Sequence, residues 1–216
     1  MPSFDSKRLG EIHRRMHSHL PSDPALRVKS LESLLVDKQM LDSGAVDAWV
    51  EIYCEQLGPK NGAQVVAKAW SDPAFKARLL EDGTATVAEF DFVGRHAAKL
   101  VVLENTPEVH NLVVCTLCSC YPIGLLGPPP TWYKAAEYRA RAVREPRAVL
   151  QEFGVELDPA VKVRVWDSTS EARYLVLPQR PAGSEGLDEA ALAALVSRNS
   201  MIGTALAQRP TGREAA

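Results

Sequence analysis

No stretch of this sequence approaches the roughly 20 consecutive apolar residues needed to cross a bilayer as a helix, so no membrane span is expected. Charge of one sign is also missing. A formal net charge of −2 gives no global field to draw the chain to nucleic acid or to an anionic membrane. The first residues, MPSFDSKRLGEIHRRMHSHLPSD, have neither the apolar core nor the small-residue cleavage site of a secretory signal. No internal repeat is visible, which sets aside a repeat array. Cysteine is scarce, at 4 of 216 residues. The expected compartment is cytoplasmic, where thiols stay reduced unless something specific oxidises or ligates them.

What is present has the balance of an ordinary globular protein, with 46% hydrophobic and 24% charged residues. The length suits one domain with an appendage, or two small domains. Leu26, Leu31, Leu34 and Leu35, then Val46, Trp49, Val50 and Tyr53, recur at helical spacing from Ala25 to about Leu57. The helices break at "DSGA", where Asp42 or Ser43 caps the second. Asp23-Pro24 starts the first. His13, His17 and His19 lie earlier, among arginines, and read as a polar arm rather than a metal site. "GPKNGAQVVAKAWSDPAFKARLLEDGTATVAEF" predicts two more helices divided at Ser71-Asp72-Pro73. "AKLVVLEN" and "HNLVVCTL" predict two buried strands, and "VKVRVWDS" with "ARYLVLPQRP" predicts a further pair. "GPPPTWYK" reads as a stiff turn and "AAEYRARAVREPRAVLQEFG" as helix, broken before Pro146. "LDEAALAALVSRNSMIG" reads as a last helix closed by Gly203. The fold class is therefore α+β: a helical N-terminal region over residues 1–90, then a mixed region over 91–216.

Three of the four cysteines crowd into "VVCTLCSCYP", as Cys115, Cys118 and Cys120. Cys54 stands alone at helical spacing and reads as a small buried hydrophobe. A redox pair does not need a third thiol and normally opens a helix. Structural zinc usually draws ligands from two knuckles; His110 offers a fourth ligand, but the chain has no second knuckle. Another geometry uses the backbone. If Cys118 and Cys120 bind one ion, the amide nitrogens of Ser119 and Cys120 between them close small chelate rings, and Cys115 adds a fifth ligand. One position stays open, as in catalytic sites. Deprotonated amides and thiolates call for a trivalent transition metal rather than zinc, calcium or magnesium. About −2 of local charge then needs compensation if buried, and the thiolates become candidates for oxidation. Chemistry alone leaves this claw, zinc, a redox site and core packing all standing.

"VCTLCSCYP" followed by "LGPPPTWYKAAEYRARAVREPRAVL" closely resembles the α subunit of nitrile hydratase. The related γ subunit of thiocyanate hydrolase shares this claw. The resemblance runs from about Arg27 to Ala205, through "NGAQVVAKAWSDPAFKARLL", "VLENTPEVHN", "VRVWDSTSEARYLVLPQRPAG" and "NSMIGTA". It implies a helical arm followed by an α-β-β-α layered catalytic domain. It implies metal ligation by Cys115, Cys118, Ser119 and Cys120, with Cys118 as sulfinate and Cys120 as sulfenate. Thr116 stands where the cobalt-type members carry Thr and the iron-type members Ser, so non-corrin Co(III) is expected over iron. The implied reaction is hydration of a small-molecule nitrile, with Cys120 and Ser119 at the reacting centre and Trp132 lining the pocket. The implied partners are a β-type subunit, which supplies arginines to the oxidised cysteines, and a maturation activator protein.

Two departures from relatives bear on substrate. Ile123-Gly124 stand where many relatives have Trp-Pro, and His96 stands where they place a Gln near the active site. Losing an indole there reshapes the pocket, which points to a bulky or heteroaromatic nitrile. Thiocyanate hydrolysis is the second reading, and an assembly or metal-binding subunit inactive without its partner is the third. Arg139, Arg141, Arg144 and Arg147 read as ion pairs and interface, with one of them, or Arg173, available to brace the claw. Trp166 and Tyr174 read as core.

Overall fold

A computed structural model describes residues 23–42, 44–52, 57–92 and 98–210. His13, His17, His19, Cys54 and His96 lie outside these. The chain divides into two compact units, parted between Trp49 and Val50. In the first, helix α1 (Asp23–Asp37) carries Pro24 in its opening turn, as the sequence predicts, and buries none of its residues. Helix α2 (Ala45–Glu51) follows, and its entry is tied by the Asp42 carboxylate, which accepts from the Gly44 N–H at 2.9 Å.

The second unit holds the hydrophobic core. Helix α3 (Pro59–Ser71) buries Val65, Val66 and Ala69 on one face. Asp72 then ends α3 and starts α4 (Pro73–Glu81), accepting from the N–H groups of Ala74 and Phe75 at 2.8 and 3.0 Å. A third short helix, α5 (Gly83–Val87), was not anticipated; the Asp82 side chain caps it. These helices, at 59–87, pack among themselves and on the strands, so the composition change near residue 90 marks a change of secondary structure within one unit.

Four strands follow: β1 (Lys99–Glu104), β2 (Val109–Val114), β3 (Lys162–Asp167) and β4 (Ala172–Leu177). Strands adjacent in sequence do not form ladders with each other. β1 pairs parallel with β4, and β2 pairs parallel with β3, in two separate two-stranded sheets. Five of the six β2 residues are buried, the mark of a strand covered on both faces, which is the environment of parallel pairing. Parallel strands need a crossover of a dozen or more residues, and that between β2 and β3 contains the cysteine segment and helices α6 (Ile123–Leu126), α7 (Thr131–Lys134), α8 (Ala136–Arg144) and α9 (Pro146–Glu152). The stiff turn predicted at "GPPPTWYK" thus contains α7, and the predicted break before Pro146 separates α8 from α9.

The last predicted helix is two, α10 (Glu189–Ala194) and α11 (Arg198–Ile202). Ser197 and Ser200 form a capping box that restarts the helix after Leu195. Gly203 closes α11 as predicted, with φ of 93°. Among the described residues no helix is long and apolar enough to cross a membrane. The architecture is a helical arm followed by a mixed α/β region.

Candidate metal centre

Parallel pairing puts the last residues of β2 and β3 side by side, with Val114 opposite Asp167. Cys115 is the next residue after β2, so the cysteine segment leaves from this edge. There the Thr116 N–H donates to Asp167 Oδ1 at 2.9 Å and its hydroxyl to Asp167 Oδ2 at 2.5 Å. From α8, Arg139 Nη1 donates to the carbonyls of Thr116 at 3.3 Å and Leu117 at 3.0 Å. The neighbouring Tyr138 hydroxyl donates to the Val113 carbonyl at 2.7 Å, docking α8 on β2. After the cysteines, the Tyr133 hydroxyl donates to the Cys120 carbonyl at 3.1 Å.

This scaffold folds the three sulfurs onto one another. Cys115 and Cys118 Sγ are 3.8 Å apart, Cys118 and Cys120 Sγ are 3.4 Å apart, and all three lie within 4.8 Å. None is in a disulfide. Cys115 is buried, Cys120 half-buried and Cys118 exposed. The Cys118 N–H donates to Cys115 Sγ at 3.3 Å. Hydrogen bonds from the Cys120 thiol, then from the Ser119 N–H and Cys115, hold the Cys118 thiol below its ordinary range. Burial first, and sharing with Cys118 and Cys115, push Cys120 up to about 12. Sulfurs this crowded do not all ionise without a compensating cation.

The donor set fits a thiophilic transition metal. It offers three soft sulfurs, and the peptide nitrogens of Ser119 and Cys120 lie between the second and third of them along the chain. Among the described residues, these three cysteines are the one group of His, Cys, Asp and Glu side chains placed to hold an ion. His110 is not with them. It sits near the other end of β2, buried, with Nε2 2.7 Å from the Gly203 carbonyl and Nδ1 3.3 Å from Asn105 Nδ2. Desolvation lowers its pKa, so the neutral ring donates from Nε2 and accepts at Nδ1. The fourth zinc ligand suggested by sequence is thereby removed.

Of the other expected pocket residues, Trp132 is half-buried, its ring centroid 4.9 Å from that of Tyr138 and 4.7 Å from that of Phe153. Tyr133, beside it, holds the Cys120 carbonyl. Ile123 packs against the core from α6, and the buried Gly124 accepts from Asn61 Nδ2 at 3.0 Å. Within the arginine series only Arg139 contacts the cysteine loop by hydrogen bonds. Arg141 pairs with Glu145 and Glu152, Arg144 returns to the Ala140 carbonyl, and Arg147 holds the carbonyls of Asp158, Pro159 and Val161. Trp166 is half-buried, and its ring N–H donates to Asn111 Oδ1 at 2.8 Å. Sequence reasoning missed Asp167 and Tyr133. Asp167 ends an alternating strand, but its meeting with Thr116 depends on a pairing that alternation does not encode.

The chain is similar to known proteins along most of its length. Residues 22–205 match the family described as "Nitrile hydratase, alpha chain". The low-molecular-weight cobalt-containing nitrile hydratase subunit alpha of Rhodococcus rhodochrous is 51% identical over 202 residues, covering 92% of this chain and 98% of that one. The thiocyanate hydrolase subunit gamma of Thiobacillus thioparus is 39% identical over 197 residues, covering 86% and 80%. Among solved structures, a double mutant of the Fe-type nitrile hydratase from Comamonas testosteroni Ni1 superposes with a TM-score of 0.81 at 42% identity, over 91% of this chain and 97% of that one.

Proposed function

The chain belongs to the nitrile hydratase α-chain family, and we propose that it is the metal-bearing subunit of a nitrile hydratase, adding water across a nitrile to give an amide. The observation that carries the reading is the meeting of three free cysteine sulfurs within 4.8 Å at the ends of two parallel strands. Cys115, Cys118 and Cys120 would hold the ion with the amide nitrogens of Ser119 and Cys120. When bound, such an ion supplies Lewis acidity.

The chain's own residues do the rest. Asp167 and Arg139 hold the loop, and Tyr133 fixes the Cys120 carbonyl. Cys120, as sulfenate, and the Ser119 hydroxyl would face the nitrile carbon and the water that adds to it, and Trp132 would border the substrate. Cobalt is favoured by Thr116 and by the cobalt-containing Rhodococcus relative; the Fe-type relative makes iron the alternative. A β-type subunit completes the pocket and supplies arginines, and an activator protein loads the metal. The absence of an indole at Ile123-Gly124 supports a bulky or heteroaromatic nitrile.

Thiocyanate hydrolysis is the second reading, carried by the 39% identity to a thiocyanate hydrolase γ subunit. A subunit that binds metal but acts only in assembly is the third. Co-expression with the β-type subunit in cobalt medium tests all three. Metal analysis with mass spectrometry of the Cys115–Cys120 peptide is expected to give cobalt, one sulfinate and one sulfenate. Turnover of heteroaromatic nitriles faster than small aliphatic ones or thiocyanate supports the substrate assignment. Tightly held zinc on three reduced thiols sinks the enzyme reading.

A further inference from the structure

Arg139 does more than tether a loop. Its Nη1 holds the Leu117 carbonyl at 3.0 Å, while the N–H of that same peptide group, on Cys118, donates to Cys115 Sγ at 3.3 Å. The peptide is trans, so its C=O and N–H point in opposite directions. A guanidinium thus sits at the negative end of one peptide dipole and a sulfur at its positive end. The guanidinium polarises the peptide and strengthens the N–H···S bond beyond. Arg139 also holds the preceding carbonyl, that of Thr116, whose own N–H is taken by Asp167. With both carbonyls engaged, the Leu117–Cys118 peptide cannot turn without breaking the Arg139 contact. Leu117 supplies no packing to hold it, because the residue is 78% exposed.

We propose that Arg139 is a positioning residue for the metal centre. Through the Leu117–Cys118 peptide it keeps an N–H on Cys115 Sγ and so fixes how Cys115 and Cys118 face each other. The inference rests on the reading of the cysteines as metal ligands and adds a residue that touches neither sulfur nor substrate. Compensation for the anionic donors therefore begins within this chain, before any partner arginine arrives. The other arginines of the same segment, Arg141, Arg144 and Arg147, are engaged elsewhere and serve as internal controls.

The test uses the cobalt-loaded complex with the β-type subunit. Arg139→Met keeps the stem and removes the donor; Arg139→Lys keeps a charged donor; Arg144→Met controls for charge loss on the same helix. A thiolate that loses an N–H donor has a higher-lying lone pair, so the sulfur-to-metal absorption of Arg139→Met is expected to move to longer wavelength. Cobalt loss to a chelator should quicken about 10-fold and kcat fall about as much, with KM nearly unchanged. Arg139→Lys should fall between Arg139→Met and the parent, and Arg144→Met should match the parent. An unshifted spectrum with parent-like cobalt retention in Arg139→Met overturns the proposal while leaving the enzyme reading intact. So does an Arg139→Lys no better than Arg139→Met, which would mean lost packing rather than lost donation. A parent complex that holds neither cobalt nor iron overturns both. Should Arg139→Met fail to assemble, Arg139→Gln, too short to reach either carbonyl, is read by the same spectrum.

Discussion

Thr116 is held by one carboxylate through two atoms: its N–H and its hydroxyl both donate to Asp167. The pair joins the first residue after Cys115 to the last residue of β3, across 51 positions of sequence. Hydrogen bonds to a charged acceptor are roughly twice as strong as neutral ones. Because Asp167 is exposed, the gain is reduced by water. Asp167→Ala is expected to cost about 1–2 kcal/mol in urea unfolding. Thr116→Val removes only the hydroxyl bond and should cost about half of that. In a double-mutant cycle the two changes should be strongly non-additive, because they share one contact. Additive losses would mean that Asp167 stabilises the edge through some other partner. At this scale the sequence singles out the three cysteines that the fold brings together, but not the residues that support them. Three cysteines at C-x-x-C-x-C spacing announce themselves, whereas Asp167 and Tyr133 act through ordinary hydrogen bonds that only the fold creates.

Some element boundaries are legible because short-range rules set them, although α5, α7 and the division of α10 from α11 are not. Asp72 is the clearest case, with Pro73 in the first turn and two N–H groups on its carboxylate. The hydrogen bond from Phe75, followed by weaker influences that include burial acting the other way, holds its pKa below the usual 3.8. A carboxyl depressed in the folded state stabilises above its unfolded pKa and loses that contribution as pH falls through the folded value. Asp72→Ala should therefore destabilise the protein at pH 7. The gap from the parent should close as the acidic end of a pH series passes below the ordinary carboxylate range. A gap of constant size down to strongly acid pH would show that the cap acts without its charge.

Gly203 makes the complementary point. The sequence marks it as a helix stop, and the structure shows a second constraint. A Cβ there would lie 2.0 Å from the Asn111 carbonyl oxygen, on a residue with φ of 93°. Gly203→Ala should destabilise by at least about 3 kcal/mol, from strain and backbone clash together. Gly62→Ala should be milder, because its worst contact is the flexible end of Met201, although the Leu125 carbonyl lies 3.0 Å from the added Cβ. Thermal unfolding that ranks Gly62→Ala as the worse variant would contradict this account. Strand pairing was the least legible feature. Alternation and burial identify strands, but the crossovers that join β1 to β4 and β2 to β3 leave no local signal.

For the whole molecule, the periodic leucines of α1 mark the limit of what sequence patterning says. Leu26, Leu31 and Leu34 fall at helical spacing and the helix forms, yet they are 48%, 61% and 50% exposed. Periodicity reports that a face is apolar and not which surface covers it. An isolated helix of 15 residues with nothing buried is marginal in water. The second unit, by contrast, has a continuous core running from α3 through the strands to Cys115, so the cysteine site is fastened to that core. If the chain is one subunit of a hetero-oligomer, the two regions should respond differently to assembly. In the chain alone, amides of residues 23–37 should exchange with deuterium nearly as fast as a peptide, while those buried along α3 and β2 exchange slowly. Adding the β-type subunit should slow exchange in α1 by about 100-fold or more and change α3 and β2 little. Protection of α1 in the isolated chain equal to that of α3 would place its cover within this chain. Unchanged exchange of α1 in the assembled enzyme would show that the arm contributes nothing to holding the subunits together.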